Sequence, residues 1–360
     1  MEGNDATTTR DLVTSLGARR TSRKRFLAEA AGLTGALVAA GLAHPEAANA
    51  AGTVRGVTAG TFFLELSKGS GGFVQSVAGG NITADVVDEQ PASSFVPKHL
   101  GMPKFEEFVV KAGSGMSAEF YDWIHDAWNG TVDLKSGAVL KTFGGATQNR
   151  REFSSGFITK VTMPALDASS KDAASMLVRF LGVNYRDVKG AGTVPQPLAQ
   201  KQWLASNFKL DITGIDTSKV THIDAFTVDQ GITDTSRQVD PNDVAVSVGA
   251  ITPAFTLGYT PIDFPDLVVT FAATSAATWK AWFEDMVVKG LSNEKDGTIT
   301  YLDSTLKAEI GHIDLHNVGI FDLEDLSGES SKESLTRMRA HLYCERMNFV
   351  FSKPGKPPAP

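Results

Sequence analysis

The chain has 360 residues, of which 42% are hydrophobic and 21% charged, a composition typical of folded rather than disordered proteins. Its net charge of −7 argues against a nucleic-acid-binding protein that relies on phosphate contacts. The single cysteine, Cys344, excludes an intrachain disulfide framework and a metal site built from several cysteines. Beyond the first fifty residues no apolar stretch is long enough for a membrane helix, so we expect no membrane insertion of the mature chain.

The first fifty residues have the segment order of a secretory signal. A basic cluster, RRTSRKRFL (19–27), precedes a run of small and apolar residues over 30–43, and Ala48–Ala50 offers a cleavage site. The SRKRFL part of the cluster resembles the twin-arginine export motif, although Lys24 stands where the second arginine belongs. We therefore expect residues 1–50 to be an export leader, with a flexible, uncleaved arm as the alternative.

Two segments that lie 159 positions apart share the pattern of an amphipathic helix. EFYDWIHDAWNG (119–130) and TWKAWFEDMVVKG (278–290) both place apolar residues at i, i+3, i+4 and i+7. KFEEFVVK (104–111) precedes the first segment and DFPDLVVT (263–270) precedes the second at the same offset. Each pair is typical of a strand that leads into a helix.

Two further pairs of segments match at nearby offsets. FLELS (63–67) resembles KLDIT (209–213), and SSKDAASMLVRF (169–180) resembles SSKESLTRMRAH (330–341) at an offset of 161. Apolar and polar residues alternate over 337–344, which is the pattern of a half-buried strand. Four matches in the same order indicate an internal duplication.

The matches define the predicted domain organisation. We predict a first unit over 60–188, a linker over 189–202, a second unit over 203–351 and a Pro-rich tail over 352–360. Each unit is predicted to contain strands, one short helix and more strands, without βαβ alternation. This order favours a mainly β fold, a β-sandwich or small barrel with one flanking helix per unit.

The strongest candidate for catalysis is the segment HIDLH. In a strand, His312, Asp314 and His316 would point to one face, where two imidazoles and a carboxylate could bind a metal. The alternative is an exposed polar face with Ile313 and Leu315 buried behind it. We favour this alternative because spacing alone supplies no fourth ligand.

Three other segments lack a catalytic pattern. GSGGF (69–73) has no Gly-Lys-Ser/Thr ending and precedes a strand, so a hairpin or bulge is predicted there. His125 and Asp126 are helix neighbours that point about 100° apart, and Cys344 lies in an alternating strand as a small hydrophobe. We therefore predict no catalytic, cofactor-binding or metal-binding residues.

Two aromatic residues of the first helix lie off its apolar stripe. Tyr121 and Trp128 are either exposed for a partner or cover the edge of a sheet. The sequence leaves both alternatives open.

Three segments in each unit carry a resemblance to a known family. They cover 62–87, 104–128 and 156–180 in the first unit and 208–228, 263–287 and 319–349 in the second. Through their order and duplication, the sequence resembles the phage tail tube proteins of contractile tails and related extracellular contractile injection systems. No single motif among them is highly specific.

The resemblance implies two packed, mostly antiparallel sheets with a flanking helix. In this family six copies form a ring by joining inner strands into a continuous β-barrel, and rings stack into a hollow tube. Tube subunits usually hold one such unit. If a ring still needs six units, three of these chains would suffice, because 3 × 2 = 6, and the ring would be a pseudo-hexameric trimer.

The implied partners are further copies of the chain, with baseplate, sheath or cargo proteins as additional partners. We expect an extracytoplasmic or extracellular location if the leader works, and otherwise a cytoplasmic, virion-like particle. Two other classes remain open. One is an exported metal-dependent or redox enzyme, and the other is a monomeric β-sandwich protein that binds a surface or ligand.

Overall fold

A computed structural model describes most of the chain after residue 60. The described ranges are 61–67, 71–88, 95–143, 145–194, 203–235, 256–259, 261–326 and 336–351. The predicted leader, the predicted tail and the last part of the predicted linker lie outside these ranges. None of the helices within them has the length and apolarity needed to cross a bilayer.

The described residues are mostly β-strand, which confirms the predicted fold class. The first half contains β1 (Thr61–Glu65), β2 (Gly71–Val74), β3 (Ser76–Gly79), β4 (Ile82–Asp88), β5 (Lys98–Phe105), β6 (Phe108–Ala112), β7 (Lys135–Phe143), β8 (Ala146–Met163), β9 (Leu166–Asp167), β10 (Met176–Leu181) and β11 (Asn184–Lys189). The second half contains β12 (Phe208–Ile212), β13 (Val220–Ile223), β14 (Phe226–Asp229), β15 (Ile232–Thr235), β16 (Thr256–Tyr259), β17 (Leu267–Ala272), β18 (Lys295–Leu302), β19 (Glu309–Leu326) and β20 (Arg337–Phe351).

Each half has one flanking α-helix among its described residues, where the repeated aromatic segments predict it. Helix α1 spans Ala118–Trp128, and α2 spans Ala276–Phe283 before a π-helical turn at Glu284–Val288. The Ser117 side chain accepts a hydrogen bond from the Phe120 N–H and caps α1. The stripe residues Trp123 of α1 and Trp279 of α2 are buried, and each packs against a phenylalanine in the sheet of its own half, Phe180 and Phe271 respectively.

The two main sheets have the same strand order. The first runs β3–β6–β10–β8–β7–β1, with β2 outside β1, and the second runs β13–β17–β20–β19–β18–β12. Strand β20 takes the place of both β10 and β11, which pair with successive parts of β8. All neighbours are antiparallel.

The register of the two sheets also agrees residue by residue. We call two residues equivalent when they hold the same pairing position in the two sheets. The difference in residue number between equivalent residues is constant within each strand pair. It is 146 for β1 and β12 (208 − 62) and for β3 and β13 (223 − 77), and 159 for β6 and β17 (271 − 112). It is 160 for β7 and β18 (297 − 137), and 162 for β8 and β19 (315 − 153) and for β10 and β20 (340 − 178). Three β-bulges fall at equivalent positions.

Irregular backbone positions repeat as well. Ser155 and its equivalent Asn317 both have positive φ, at 49° and 53°. The N–H of Ser155 donates to the Ser136 hydroxyl, and the N–H of Asn317 donates to the carboxylate of Asp296, which is equivalent to Ser136. Side chains thus stabilise the same strained position in both long strands.

One offset predicted from the sequence is wrong. The SSK segments align at 161, which would make Arg337 the equivalent of Met176, but the pairing gives 162 and makes Met338 equivalent to Met176. Both methionines are buried. A shift of one residue would move every side chain of the strand to the opposite face of the sheet. The register is therefore set by burial of the apolar face and not by the identical residues.

Candidate assembly surface

The two halves are joined by exchanged strands. Strand β14 of the second half pairs with the end of β8 in the first half, with Val228 opposite Val161 and Thr227 opposite Thr162. Both valines have 0% exposure, and the two threonine hydroxyls lie 2.8 Å apart. The pairing adds a strand from one half to the sheet of the other.

A second exchange runs in the opposite direction. Strand β9 of the first half pairs with β13 of the second, where Leu166 lies opposite Ile223 and Asp167 opposite His222. Hydrogen bonds from Ser169 hold the pKa of Asp167 below its ordinary value, and its carboxylate lies 3.7 Å from His222. Each half therefore gives one strand and receives one.

Helix α1 packs on β20 and forms the third contact between the halves. We call these three contacts together, β14 with β8, β9 with β13 and α1 with β20, the internal joint. Its Tyr121 ring stacks on Phe351 of β20 at 4.3 Å, and its Trp128 ring lies 5.5 Å from Phe349. Nδ1 of His125 lies 2.8 Å from the Phe349 carbonyl oxygen. The hydrophobic core is consequently one continuous cluster that includes residues of both halves.

The exposed alternative for Tyr121 and Trp128 is wrong. Each has 2% exposure, because the face of the second sheet covers both side chains. The Tyr121 hydroxyl donates to the Gly113 carbonyl and accepts from the Met116 N–H, and burial raises the pKa of Tyr121 above its ordinary value. The sequence missed this contact because the covering residues lie more than 200 positions away.

The HIDLH segment lies in β19 as an alternating strand. Ile313 and Leu315 are fully buried, while His312, Asp314 and His316 are partly exposed on the other face. Nδ1 of His312 contacts the Glu309 carboxylate, and its Nε2 lies 3.6 Å from Asp314. The geometry agrees with the polar-face interpretation.

A different group has the spacing of metal ligands. In the described part of the chain, Asp322, Glu324 and His341 are the group whose ligand atoms all lie within 4.8 Å of one another. Arg339 lies 3.8 Å from Glu324, and this cation competes for the same carboxylate. The polar face of β19 is interrupted by the buried Val318 and Ile320, and the alternation of Asp322, Leu323 and Glu324 beyond them was the signal in the sequence for the two carboxylates.

The remaining candidate segments have structural roles. Gly71 and Phe73 lie in β2, which pairs with β1, as the predicted hairpin requires, while residues 68–70 lie outside the described ranges. Cys344 is buried in β20, and burial raises the pKa of its thiol to about 11, so the thiol is neutral at physiological pH.

Comparison with known proteins shows that the chain is similar to chains of contractile injection systems. No protein-family model and no curated protein matches the chain. Over 36% of its length it is similar to 88% of a chain in the sheath–tube complex of an extracellular contractile injection system, PVC, in its extended state, with 20% identity and a TM-score of 0.31. Over 42% it is similar to 99% of a chain in the tube-terminating cap of the anti-feeding prophage, with 19% identity and a TM-score of 0.31.

A third solved structure, Hcp1 from Flavobacterium johnsoniae, is similar over 41% of this chain and 96% of its own, with 10% identity and a TM-score of 0.26. In each of the three, most of the solved chain corresponds to less than half of this one. At these TM-scores and identities, the likeness does not by itself assign a function. The chain is thus similar to chains of an injection-system sheath–tube complex and of the anti-feeding prophage cap, and to Hcp1.

Proposed function

We propose that this chain is a structural, self-assembling subunit that forms rings stacked into a hollow tube or filament. The observation that carries the proposal is the internal joint, in which two sheets of the same strand order are joined by strand pairing. A unit that pairs with an equal unit in this way can be extended by further copies. The same observation supports a tandem pair of tail-tube-like units.

The physical reason for closure lies in the strand edges. An unpaired edge presents free N–H and C=O groups that attract other chains, and a closed barrel leaves no such edge. Contacts between rings are of the head-to-tail kind and do not close, so stacking extends a ring into a tube.

Three chains complete one ring in this proposal, since each chain supplies two units. The test is size-exclusion chromatography with light scattering on the purified full chain, followed by negative-stain imaging. The expected particles are rings or tubes with three chains per ring. Rings of six chains would contradict the tandem stoichiometry, and a monomer at high concentration would contradict the assembly itself.

The proposed role is not enzymatic and uses no metal or cofactor. Elemental analysis of the purified chain tests this point. A stoichiometric metal that is lost in His312→Ala and His316→Ala variants would favour the exported metal-dependent enzyme instead. Sheath, baseplate or cargo proteins are proposed as further partners, to be sought by co-purification with assembled tubes.

We also propose that the leader directs export through the twin-arginine route. Replacing the leading arginine of the motif, Arg23→Lys, should leave the chain in the cytoplasmic fraction. The conservative change at the neighbouring position, Lys24→Arg, restores the arginine pair and should keep or improve export. Equal distribution of both variants and the parent chain would contradict the proposal.

A further inference from the structure

We propose that the chain joins a second copy of itself by repeating the internal joint, with the edge of β19 pairing with β4 of the next copy. The inference rests on the proposed function, since it specifies the contact that extends a unit pair into a ring. It comes from residue equivalence between the halves. The two strands that pair in the internal joint, β8 and β14, have equivalents in β19 and β4, and no described strand pairs with the corresponding edge of either one.

The acceptor edge lies at the end of β19. In the first half, β14 pairs with Lys160–Met163 of β8. The equivalents at an offset of 162 are Asp322–Asp325, where β20 covers one edge of β19 and no described strand covers the other. Strand β18 ends its pairing at Val318 and leaves this edge open.

The donor edge lies at the start of β4. The equivalents of Phe226–Asp229 at an offset of 146 are Gly80–Thr83, and among the described strands β4 pairs with β5 alone. Asp229 forms a bridge with Asp263, and the equivalent pair, at offsets of 146 and 159, is Thr83 with Lys104 of β5. The Gly80 N–H donates to the Glu107 carbonyl and the Gly80 carbonyl accepts from Arg151, so the edge that corresponds to the one β14 uses is open in β4 from Ile82 onward.

Backbone hydrogen bonding agrees with this assignment. The Asn81 carbonyl accepts from the Glu106 N–H at 2.9 Å, so Asn81 directs its backbone groups toward the β5 side. In an antiparallel ladder these directions alternate, so the N–H and C=O of Ile82 point to the open edge. Ile82 is 47% exposed, whereas its equivalent Val228 is fully buried in the internal joint.

The side chains of the two edges are complementary. Equivalence places Ile82 opposite Leu323, and these apolar residues stand where Val228 meets Val161. It places Asn81 opposite Glu324, where Thr227 meets Thr162 in the internal joint. The Asn81 Nδ2 donates to the Glu106 carboxylate at 2.7 Å, and because a side-chain amide has two N–H donors, the second can donate to the Glu324 carboxylate.

A second contact follows from the same equivalence. Helix α1 packs on β20 in the internal joint, so α2 is expected to pack on β11 of the neighbouring copy. At the offset of 159, Trp128 of α1 corresponds to Val287 in the π-helical turn after α2, and Val287 is 46% exposed. Where β20 has Phe349 and Phe351, β11 has Asp187 and Lys189, both exposed. This contact is therefore more polar than the internal one.

Disulfide cross-linking at the predicted register tests the joint. Thr162 and Thr227 form a pair without mutual backbone hydrogen bonds, because the neighbouring Gln230 N–H donates to the Thr159 carbonyl and the ladder alternates. Such pairs have Cα atoms about 4.5 Å apart, which suits a disulfide. The equivalent pair across copies is Asn81 with Glu324, so the test variant is Asn81→Cys with Glu324→Cys.

The controls use the same chain. Thr162→Cys with Thr227→Cys should form a disulfide within one chain and run as a monomer on a non-reducing gel. Thr83→Cys with Glu324→Cys is out of register by two residues and should cross-link far less. The two single-cysteine variants, Asn81→Cys and Glu324→Cys, report any contribution from the buried Cys344.

Mild oxidation of the test variant should shift the full-length chain from monomer to covalent dimers and trimers. Assembled rings without these products would overturn the joint and leave the proposed function standing. A disulfide formed within one chain would also overturn it. A chain that stays monomeric in imaging and sizing would overturn the joint and the proposed function together.

Discussion

The internal joint and the surfaces equivalent to it differ in amino-acid composition. The covered side has Tyr121, Trp128 and Phe349, whereas the equivalent positions have Lys280, Val287 and Asp187. A contact made once, during folding, can be apolar because it is never exposed to water again. A surface that meets a separate chain is in water until the partner arrives, so charged side chains such as Lys280 and Asp187 are tolerated there.

Removing the largest side chain of the internal joint should give the largest loss of stability. Trp128→Ala is expected to lower the free energy of unfolding of the unassembled chain by about 3–5 kcal/mol, since it leaves a cavity against Phe349. The matched variant Val287→Ala should change it by no more than about 0.5 kcal/mol, since Val287 is exposed. Urea denaturation measures both. Similar losses for the two variants would contradict the difference between the surfaces.

The hydroxyl of Tyr121 gives the next largest effect. Tyr121→Phe keeps the ring stack on Phe351 but leaves the Met116 N–H and the Gly113 carbonyl without their hydroxyl partner. We expect a loss of about 1–3 kcal/mol in the free energy of unfolding, measured by the same denaturation. The equivalent Lys280→Met change serves as the control and should leave stability close to that of the parent chain.

The ion pair on β11 should contribute less and depend on pH. A bidentate hydrogen bond from Arg151 lowers the pKa of Asp187 below its ordinary value of 3.8. The stabilisation is therefore present above that value and is lost as the pH falls through the lowered pKa. Asp187→Asn should cost less than about 1 kcal/mol at pH 7, because the carboxylate is 53% exposed. The difference from the parent chain should shrink as the pH falls from 3.8 through the lowered pKa, and a difference that does not change over this range would contradict the ion-pair assignment.

A substitution on the open edge of β4 should have the smallest effect on folding and should abolish assembly. Ile82→Asp places a charge on the open edge of β4, where it should change the free energy of unfolding by no more than about 0.5 kcal/mol. The same charge opposes edge pairing with another chain, so rings should be absent in negative-stain images. Ile82→Val is the control that should still assemble. Normal rings of Ile82→Asp would remove β4 from the contact between copies.

The sequence predicted the parts of the fold that depend on local pattern. The aromatic stripes gave α1 and α2 because apolar spacing of 3.6 residues needs no knowledge of distant contacts. The alternation over 337–344 gave part of β20 for the same reason. The alignment of that strand with the first half is wrong by one position. It follows the identical residues Ser-Ser-Lys, whereas the register depends on which face of the strand is apolar and buried.

The internal joint could not be predicted from these patterns. Strand β14 has four residues, and its partner on β8 lies more than 60 positions earlier, so no local periodicity connects them. Tyr121 and Trp128 likewise depend on Phe351 and Phe349 for their burial. Off-stripe aromatics on a helix were the one local signal, and they indicate a second packing face without naming its partner.

The hairpins of the two halves differ, and this difference would lower the rotational symmetry of the proposed ring. Between the paired residues Val86 and Leu100 the chain has 13 residues (100 − 86 − 1), whereas between the equivalent pair, Ile232 and Tyr259, it has 26 (259 − 232 − 1). In a ring of three tandem chains the two kinds of hairpin would alternate, so such a ring would repeat every third of a turn instead of every sixth. A capping protein that recognises one hairpin type therefore finds three docking positions, and consecutive rings have two distinguishable ways to stack.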